Sequence, residues 1–189
     1  MGIDRPLTDL GMPRRAVFLD RDGVINAAVV RDGKPYPPAS VEALEILPGV
    51  DRALAELRAA GFLLIVVTNQ PDVARGTQRR EEVDAIHGTL SAALPLDAVY
   101  CCFHDDVERC ACRKPAPGML FDAARALGLD LARSFLVGDR WRDTEAGVAA
   151  GCRTVFIDRG YAERRPVVFD VACGSLPEAA AWILTQGTT

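Results

Sequence analysis

The 189-residue sequence lacks any apolar run that approaches the 18 or more residues of a membrane span. Its first 15 residues also lack the apolar core of a secretory signal, because charged residues and prolines are spread through them. We therefore expect a cytoplasmic protein with no membrane partner.

Positive charge and aromatic side chains are scarce as well. The formal net charge is −4 at pH 7, and aromatic residues make up 6% of the chain. Nucleic-acid-binding proteins usually present a basic surface, and those that bind single strands add aromatic side chains on which bases stack. The composition therefore argues against a nucleic-acid partner, although it allows a local basic pocket for a small phosphorylated molecule.

The chain also contains no internal repeat, low-complexity tract or linker-like segment. A chain of this length can bury a sizeable core as one domain. We interpret residues 1–189 as a single domain and expect a monomer.

Short apolar segments alternate with segments of helical periodicity along the chain. This order predicts a Rossmann-like, doubly wound α/β fold, with a parallel sheet covered by helices on both faces. The predicted strands are 16–19, 62–67, 98–100, 134–137 and 153–157, with 167–169 as a weaker sixth, and the predicted helices are 50–60, 80–93, 118–127, 142–150 and 177–184.

Polar residues follow several of the predicted strands. In sheets of this kind, ligands bind beyond the carboxyl ends of the strands. We therefore expect a functional site at that edge, formed by the residues that fall within two or three positions of a strand end: Asp20, Asp22, Thr68, Cys102 and Asp139.

Two carboxylates follow the first strand. Asp20 and Asp22 are two residues apart, so on an extended segment their side chains face the same side. Two acids placed so closely repel each other unless a cation lies between them, and Mg²⁺ prefers such oxygen ligands. Gly23 next allows the backbone to approach a bound anion. The alternative interpretation is a loop of solvated acids beside a helix cap.

Three further polar segments follow in order: Thr68-Asn-Gln70, Lys114 between Arg113 and Pro115, and Asp139 with Asp143. Each has a simple structural alternative, because Thr68 can end a strand and Lys114 can be a solvated side chain. The two aspartates can cap the next helix. It is the occurrence of all the segments in this order that favours function.

Together these segments resemble the motifs of the haloacid-dehalogenase-like phosphatases, over residues 16–151. The resemblance implies phosphoryl transfer through an aspartyl phosphate, with Asp20 as the nucleophile and Asp22 as the general acid and base. It also implies that Thr68 and Lys114 bind the phosphoryl oxygens.

The same resemblance implies a Mg²⁺ cofactor. Its ligands would be Asp20, the backbone carbonyl of Asp22 and Asp139, with Asp143 supporting this shell by a hydrogen bond or through water.

A cluster of sulfur and imidazole ligands lies between residues 101 and 113, a segment that we call the zinc loop. Cys102, His104, Cys110 and Cys112 supply three thiols and one imidazole, a set that suits a structural Zn²⁺. Such a polar segment cannot fold on apolar burial alone, so a metal would stabilise it. The alternatives are free thiols, or iron in place of zinc.

The remaining cysteines and the second histidine are assigned no ligand role. Cys101 should point away from Cys102 on a strand. Cys152 and Cys173 are interpreted as small core residues, and His87 as a surface or packing residue on a helix.

The zinc loop narrows the resemblance to the subgroup that contains D-glycero-D-manno-heptose-1,7-bisphosphate phosphatases and the histidinol-phosphate phosphatase domain. In that subgroup a zinc-stapled loop replaces a cap domain. The resemblance implies a small phosphorylated substrate. The leading hypothesis is a heptose 1,7-bisphosphate that is dephosphorylated at C7. Lys34 and the predicted substrate-binding residues would hold this molecule: Asn69, Arg75, Arg113 and Arg140.

Two alternatives remain open. The short zinc loop favours a histidinol-phosphate phosphatase, and zinc clips also occur in nucleic-acid-binding or end-processing domains. The sequence departs from the subgroup at Pro71-Asp72, where Ser-Gly is common, and at Arg140, where lysine is common. The proline-rich segment 31–38 is predicted to be a long loop that can contact the substrate.

Overall fold

The computed structural model describes residues 13–186. Residues 1–12 and 187–189 lie outside the described part. Most of the segment that was interpreted as lacking a secretory signal therefore lies outside the described residues, as do the two ends of the predicted domain.

Six parallel strands form the central sheet: β1 Arg15–Leu19, β4 Phe62–Asn69, β5 Ala98–Cys102, β6 Phe135–Gly138, β7 Arg153–Ile157 and β8 Val171–Cys173. Two further short strands, β2 Val29–Arg31 and β3 Lys34–Tyr36, lie outside this sheet. The spatial order in the central sheet is β5-β4-β1-β6-β7-β8, so β1 lies near its centre and pairs with β4 on one side and β6 on the other. Because all the strands are parallel, their carboxyl ends lie at one edge.

Helices cover both faces of the sheet. They are α1 Val50–Ala59, α2 Arg80–Ala93, α3 Gly118–Leu127, α4 Trp141–Ala150 and α5 Leu176–Gln186. Apolar residues of α1, α2 and α5 pack in one buried cluster, and those of α3 and α4 pack in a second. This is the predicted α/β architecture.

β1 explains why both faces are covered. Val17 and Leu19 belong to the first cluster, whereas Ala16 and Phe18 belong to the second, and all four are fully buried. Alternate residues of a strand point to opposite faces, so a continuous apolar run requires packing on both sides.

One predicted strand was wrong. Residues 167–169 are not in the sheet, and Val167 and Val168 are 84% and 62% exposed. The sixth strand begins after Asp170, whose carboxylate accepts a hydrogen bond of 2.7 Å from the backbone N–H of Thr154. This contact brings the chain alongside β7 only from Val171 onwards.

The predicted long loop at 31–38 was also wrong in part, because it contains most of a β-hairpin. β2 Val29–Arg31 pairs antiparallel with β3 Lys34–Tyr36. Asp32 and Gly33 form the turn with φ of 50° and 71°. A common two-residue hairpin turn requires positive φ at both of its central residues, and the sequence Asp-Gly is a strong signal for such a turn.

In the part of the chain that the structure describes, no helix has both the length and the apolar character needed to cross a membrane.

Candidate active site

The predicted site residues meet at the carboxyl edge of the sheet. Asp20 follows β1, Thr68 is the second-to-last residue of β4, and Asp139 follows β6. The backbone N–H of Asp20 donates to the carbonyl of Val137 at 2.9 Å, which continues the β1–β6 pairing up to the carboxylate. The sheet register thus positions these side chains, as expected from the strand ends.

Lys114 reaches this edge from the loop before α3. Its Nζ donates to Oδ1 of Asp20 at 2.8 Å and to the carbonyl of Val67 at 2.7 Å, and it lies 2.6 Å from Oδ1 of Asp143. The lysine is only 2% exposed. One buried ammonium group therefore links two carboxylates to the end of β4.

Asn69 fixes the backbone at this lysine. Its Nδ2 donates to the carbonyl of Lys114 at 2.9 Å, and its Oδ1 accepts from the N–H of Lys114 at 3.1 Å. Both ends of the amide are therefore used in positioning Lys114. Contact with substrate, the role predicted for Asn69, stays a prediction.

Burial and charge shift the pKa values of this group. Burial raises the pKa of Asp20 to about 6 against the lowering effect of Lys114, and Asp143 adds to the rise. Burial alone would lower the pKa of Lys114, but the carboxylates of Asp143 and Asp20 outweigh it and raise that pKa. The lysine is therefore held as a cation beside the predicted nucleophile.

Asp139 has one carboxylate oxygen available. Its Oδ2 accepts a hydrogen bond of 2.9 Å from the hydroxyl of Tyr161, while its buried Oδ1 has no hydrogen-bond partner among the described residues. Burial, with the charges of Asp20 and Asp143, raises the pKa of Asp139 well above its ordinary value. A buried carboxylate in this state is stabilised by a cation.

The three acids fit a hard divalent cation. Asp20, Asp139 and Asp143 are buried, and one oxygen from each lies within 4.8 Å of the others. Gly23 packs against this group, and a Cβ there would lie 1.8 Å from Oδ2 of Asp139. The residues therefore match an oxygen-ligand Mg²⁺ site.

Asp143 is already engaged by protein groups. Its Oδ2 accepts the backbone N–H of Arg140 at 3.0 Å, at the start of α4, and its Oδ1 contacts Lys114. Both contacts are consistent with the supporting role predicted for Asp143.

The carboxylate of Asp22 is held by four donors. Arg21 donates to both oxygens, Asn26 to Oδ1 at 2.9 Å and Gln70 to Oδ2 at 2.8 Å. Gln70 also donates to the hydroxyl of Thr68 at 2.9 Å. Thr68 is thereby linked to Asp22 at the base of the site.

The four predicted zinc ligands converge. Sγ of Cys112 lies 3.2 Å from Sγ of Cys102, 3.3 Å from Sγ of Cys110 and 3.4 Å from Nδ1 of His104. Three thiols and one imidazole in mutual contact form a Cys₃His set whose chemistry fits zinc. Cys101 is outside this set, as predicted.

The other cysteines and His87 are placed largely as expected. Cys152 is buried, and the partly buried Cys173 packs against the first apolar cluster. His87 is 9% exposed, so it is a packing residue rather than a surface residue.

A cleft of about 220 Å³ opens above Asp20. It lies between the zinc loop, the β2–β3 hairpin and the start of α4. The cations that line it are Lys34, Arg75, Arg113, Lys114, Arg140 and Arg142.

Acidic residues position most of these arginines. Within the zinc loop, Asp105 binds Arg75 through two contacts of 2.8 and 2.6 Å. Asp106 accepts from Arg113 Nε at 2.7 Å and from both terminal nitrogens of Arg142 at 3.1 Å. The zinc loop therefore fixes three arginines at one wall of the cleft.

Several site residues were not predicted from the sequence. Arg142 lies between Asp139 and Asp143 and could have been included, because it lines the same cleft as Arg140. Tyr161 and Glu163, which contact Asp139 and Arg140, carry no signal, since they follow β7 in an irregular segment.

Comparisons with known proteins bear on this geometry. A family model described as HAD-hydrolase-like matches residues 111–175. The chain is 36% identical over 169 residues to the D-glycero-beta-D-manno-heptose-1,7-bisphosphate 7-phosphatase of Bordetella bronchiseptica, covering 87% of this chain and 89% of the relative. It is 38% identical over 183 residues to the enzyme of that name from Escherichia coli K12, covering 90% and 88%.

The chain belongs to the HAD-like phosphatase family.

The solved structures agree. The D,D-heptose 1,7-bisphosphate phosphatase of B. bronchiseptica, crystallised with magnesium and phosphate, superposes with a TM-score of 0.75 at 33% identity, over 91% of this chain and 99% of that one. A putative HAD-like phosphatase from Mesorhizobium loti superposes with a TM-score of 0.72 at 31% identity, over 93% of this chain and 88% of that one. The chain is therefore an enzyme of the phosphoric monoester hydrolase class, and the predicted family is confirmed.

Proposed function

We propose that this HAD-like phosphatase removes the C7 phosphate of D-glycero-D-manno-heptose 1,7-bisphosphate with Mg²⁺ as its cofactor. The observation that carries the proposal is the buried pair of Asp20 and Lys114 at the floor of a cleft whose walls carry arginines. Asp139 lies beside Asp20, and its buried Oδ1 has no hydrogen-bond partner among the described residues. The names of the relatives that cover most of the chain supply the substrate.

In the proposed reaction, a carboxylate oxygen of Asp20 attacks phosphorus and forms an aspartyl phosphate. Asp20, Asp139 and the backbone carbonyl of Asp22 would hold Mg²⁺, which would supply positive charge to the reacting phosphate when bound. Lys114 neutralises the same charge from the protein side, and the Thr68 hydroxyl offers a further hydrogen bond.

Asp22 handles the proton. It protonates the leaving sugar oxygen in the first step, and it then removes a proton from the water that hydrolyses the aspartyl phosphate. Its position at the cleft, two residues from Asp20, supports this assignment.

A second phosphate would bind at the arginine wall. Nη1 of Arg113 is buried and has no hydrogen-bond partner within residues 13–186, although the side chain lines the cleft. A phosphate oxygen would satisfy this donor, since a planar guanidinium suits phosphate geometry. Lys34 on the hairpin, together with Arg75 and Arg140, would add positive charge on the way to it.

We also propose Zn²⁺ as a structural cofactor in the Cys₃His set. With four protein ligands it would leave no open position, so its role is to hold the zinc loop. Metal analysis of the purified protein tests this, and iron or no metal would oppose it. A monomeric state and a cytoplasmic location stay predictions.

The substrate is tested by phosphate release from a panel of heptose 1,7-bisphosphate, histidinol phosphate and hexose phosphates with Mg²⁺. We expect the heptose bisphosphate to have the highest kcat/KM, and Asp20→Asn to abolish it. Asp122→Asn, an equivalent change on the exposed face of α3, is the matched control. A higher kcat/KM for histidinol phosphate would instead identify a histidinol-phosphate phosphatase, the alternative suggested by the short zinc loop.

A further inference from the structure

Arg21, between the two catalytic aspartates, has no assigned role, yet it is one of the most buried side chains in the described part of the protein. Its exposure is 0%. A buried guanidinium is costly unless every charge and donor is compensated, so its partners show what it is for. The carbonyl of Arg21 also accepts backbone bonds from Ile25 and Asn26, which fixes the turn after β1.

The guanidinium holds the carboxylate of Asp22 in a two-point contact. Nε donates to Oδ1 at 3.1 Å and Nη2 donates to Oδ2 at 2.9 Å. Two parallel hydrogen bonds define both the distance and the plane of a carboxylate, whereas one bond would leave it free to rotate. Arg21 therefore contributes two of the four donors that orient Asp22, and Asn26 and Gln70 each contribute one more.

His87 on α2 fixes the other side of the guanidinium. Its Nε2 lies 3.0 Å from Nη1 of Arg21, and because arginine only donates, Nε2 must accept. Burial and the charge of Arg21 lower the pKa of His87 to about 4. At neutral pH the ring is therefore uncharged, with its proton on Nδ1.

We infer that Arg21 and His87 are positioning residues for Asp22: His87 holds the guanidinium, and the guanidinium aims the carboxylate that exchanges a proton with the leaving group. The inference rests on the proposed function, in which Asp22 is the general acid. Neither residue lines the cleft, and both are buried, so both would act through Asp22.

The test compares two substrates that differ in their need for an acid. The p-nitrophenolate released from p-nitrophenyl phosphate leaves without a proton, whereas the alkoxide released from glucose 6-phosphate needs one. Since kcat/KM reports the steps up to phosphorylation of Asp20, a misplaced Asp22 lowers it for the alkyl ester alone.

His87→Leu removes the acceptor, and we expect kcat/KM for glucose 6-phosphate to fall about tenfold while the value for p-nitrophenyl phosphate stays within about twofold. His87→Gln keeps an acceptor and should restore most of the loss. Arg21→Lys, which cannot make the two-point contact, should behave like His87→Leu and keeps the test valid if that variant does not fold.

Two reference variants separate the possible failures. Asp22→Asn should show the same selectivity more strongly, and Ile86→Val, a small core lesion on the same helix, should affect both substrates equally. Equal losses on both substrates in His87→Leu and Arg21→Lys, beside a selective Asp22→Asn, would overturn the inference alone. An unselective Asp22→Asn would overturn the role proposed for Asp22 and the inference with it.

Discussion

Replacing Lys114 by methionine tests the electrostatics of the site directly. The change keeps an unbranched side chain of similar length but removes the ammonium group that lies 2.8 Å from Asp20 and 2.6 Å from Asp143. Removing one partner of a buried ion pair typically costs 3–5 kcal/mol. Because three buried acids then remain together, we expect the metal-free variant to lose about 4 kcal/mol of unfolding free energy at pH 8.

The loss should depend on pH. Asp20 has a folded-state pKa of about 6 against an ordinary value of 3.8, so its protonated form is favoured in the folded protein. Its contribution to stability is present below the ordinary value and is lost as pH rises through about 6. At pH 5 much of Asp20 is protonated and needs Lys114 less, so the variant should lose less there than at pH 8.

Urea unfolding with a chelator, at both pH values, measures this effect. Adding millimolar Mg²⁺ should restore part of the unfolding free energy that Lys114→Met loses at pH 8, because the cation replaces the missing positive charge. Arg52→Met is the control, since its ion pair with Glu56 is exposed, is screened by solvent and should contribute little to stability. A Lys114→Met loss equal to that of the control, or equal at the two pH values, would mean that the ammonium group does not stabilise the buried acids.

Three further predictions concern other parts of the site. Gly23→Ala places a Cβ 1.8 Å from Oδ2 of Asp139, so the affinity for Mg²⁺ should fall at least about tenfold in a titration calorimetry experiment, and unchanged affinity would contradict the site. Cys112→Ser should loosen the zinc loop, so that KM for the bisphosphate rises more than KM for p-nitrophenyl phosphate; a parallel change in both would oppose a role in second-phosphate binding. The folded pKa of His87, about 4, lies below its ordinary 6.5, so stability from this residue is present above 6.5 and lost as pH falls towards 4. The unfolding free energy of the wild type should therefore decline between pH 6.5 and pH 4. In His87→Gln, urea titrations should show a decline that is smaller by up to about 3 kcal/mol, whereas an unchanged decline would exclude a buried neutral ring.

Much of the fold could be predicted because the strands of a parallel sheet covered on both faces are continuous apolar runs. β1 and β4 needed no partner to be identified. The same criterion gave a wrong strand at residues 167–169. These residues form an apolar run, but the side chains of Val167 and Val168 are exposed. What decides the matter is the contact of Asp170 with Thr154, which is a tertiary contact with no local signal.

Some residues of the site could be predicted from the sequence, whereas others could not. Asp20, Thr68 and Asp139 were predictable because strand ends bring distant residues to one edge. Tyr161 could not be predicted, because its hydroxyl reaches Asp139 from an irregular segment. The hairpin turn at Asp32-Gly33 had a recognisable signal, but the prolines around it favoured a loop.

In the proposed reaction, Asp20 carries the phosphoryl group during turnover. The most direct measurement is a rapid acid quench of the enzyme with substrate and Mg²⁺, followed by peptide mass spectrometry. We predict a transient phosphorylated peptide that contains Asp20, absent in Asp20→Asn and longer-lived in Asp22→Asn, where the water lacks its base. Phosphate release with no phosphorylated Asp20 peptide at any time point, or full turnover by Asp20→Asn, would contradict the account.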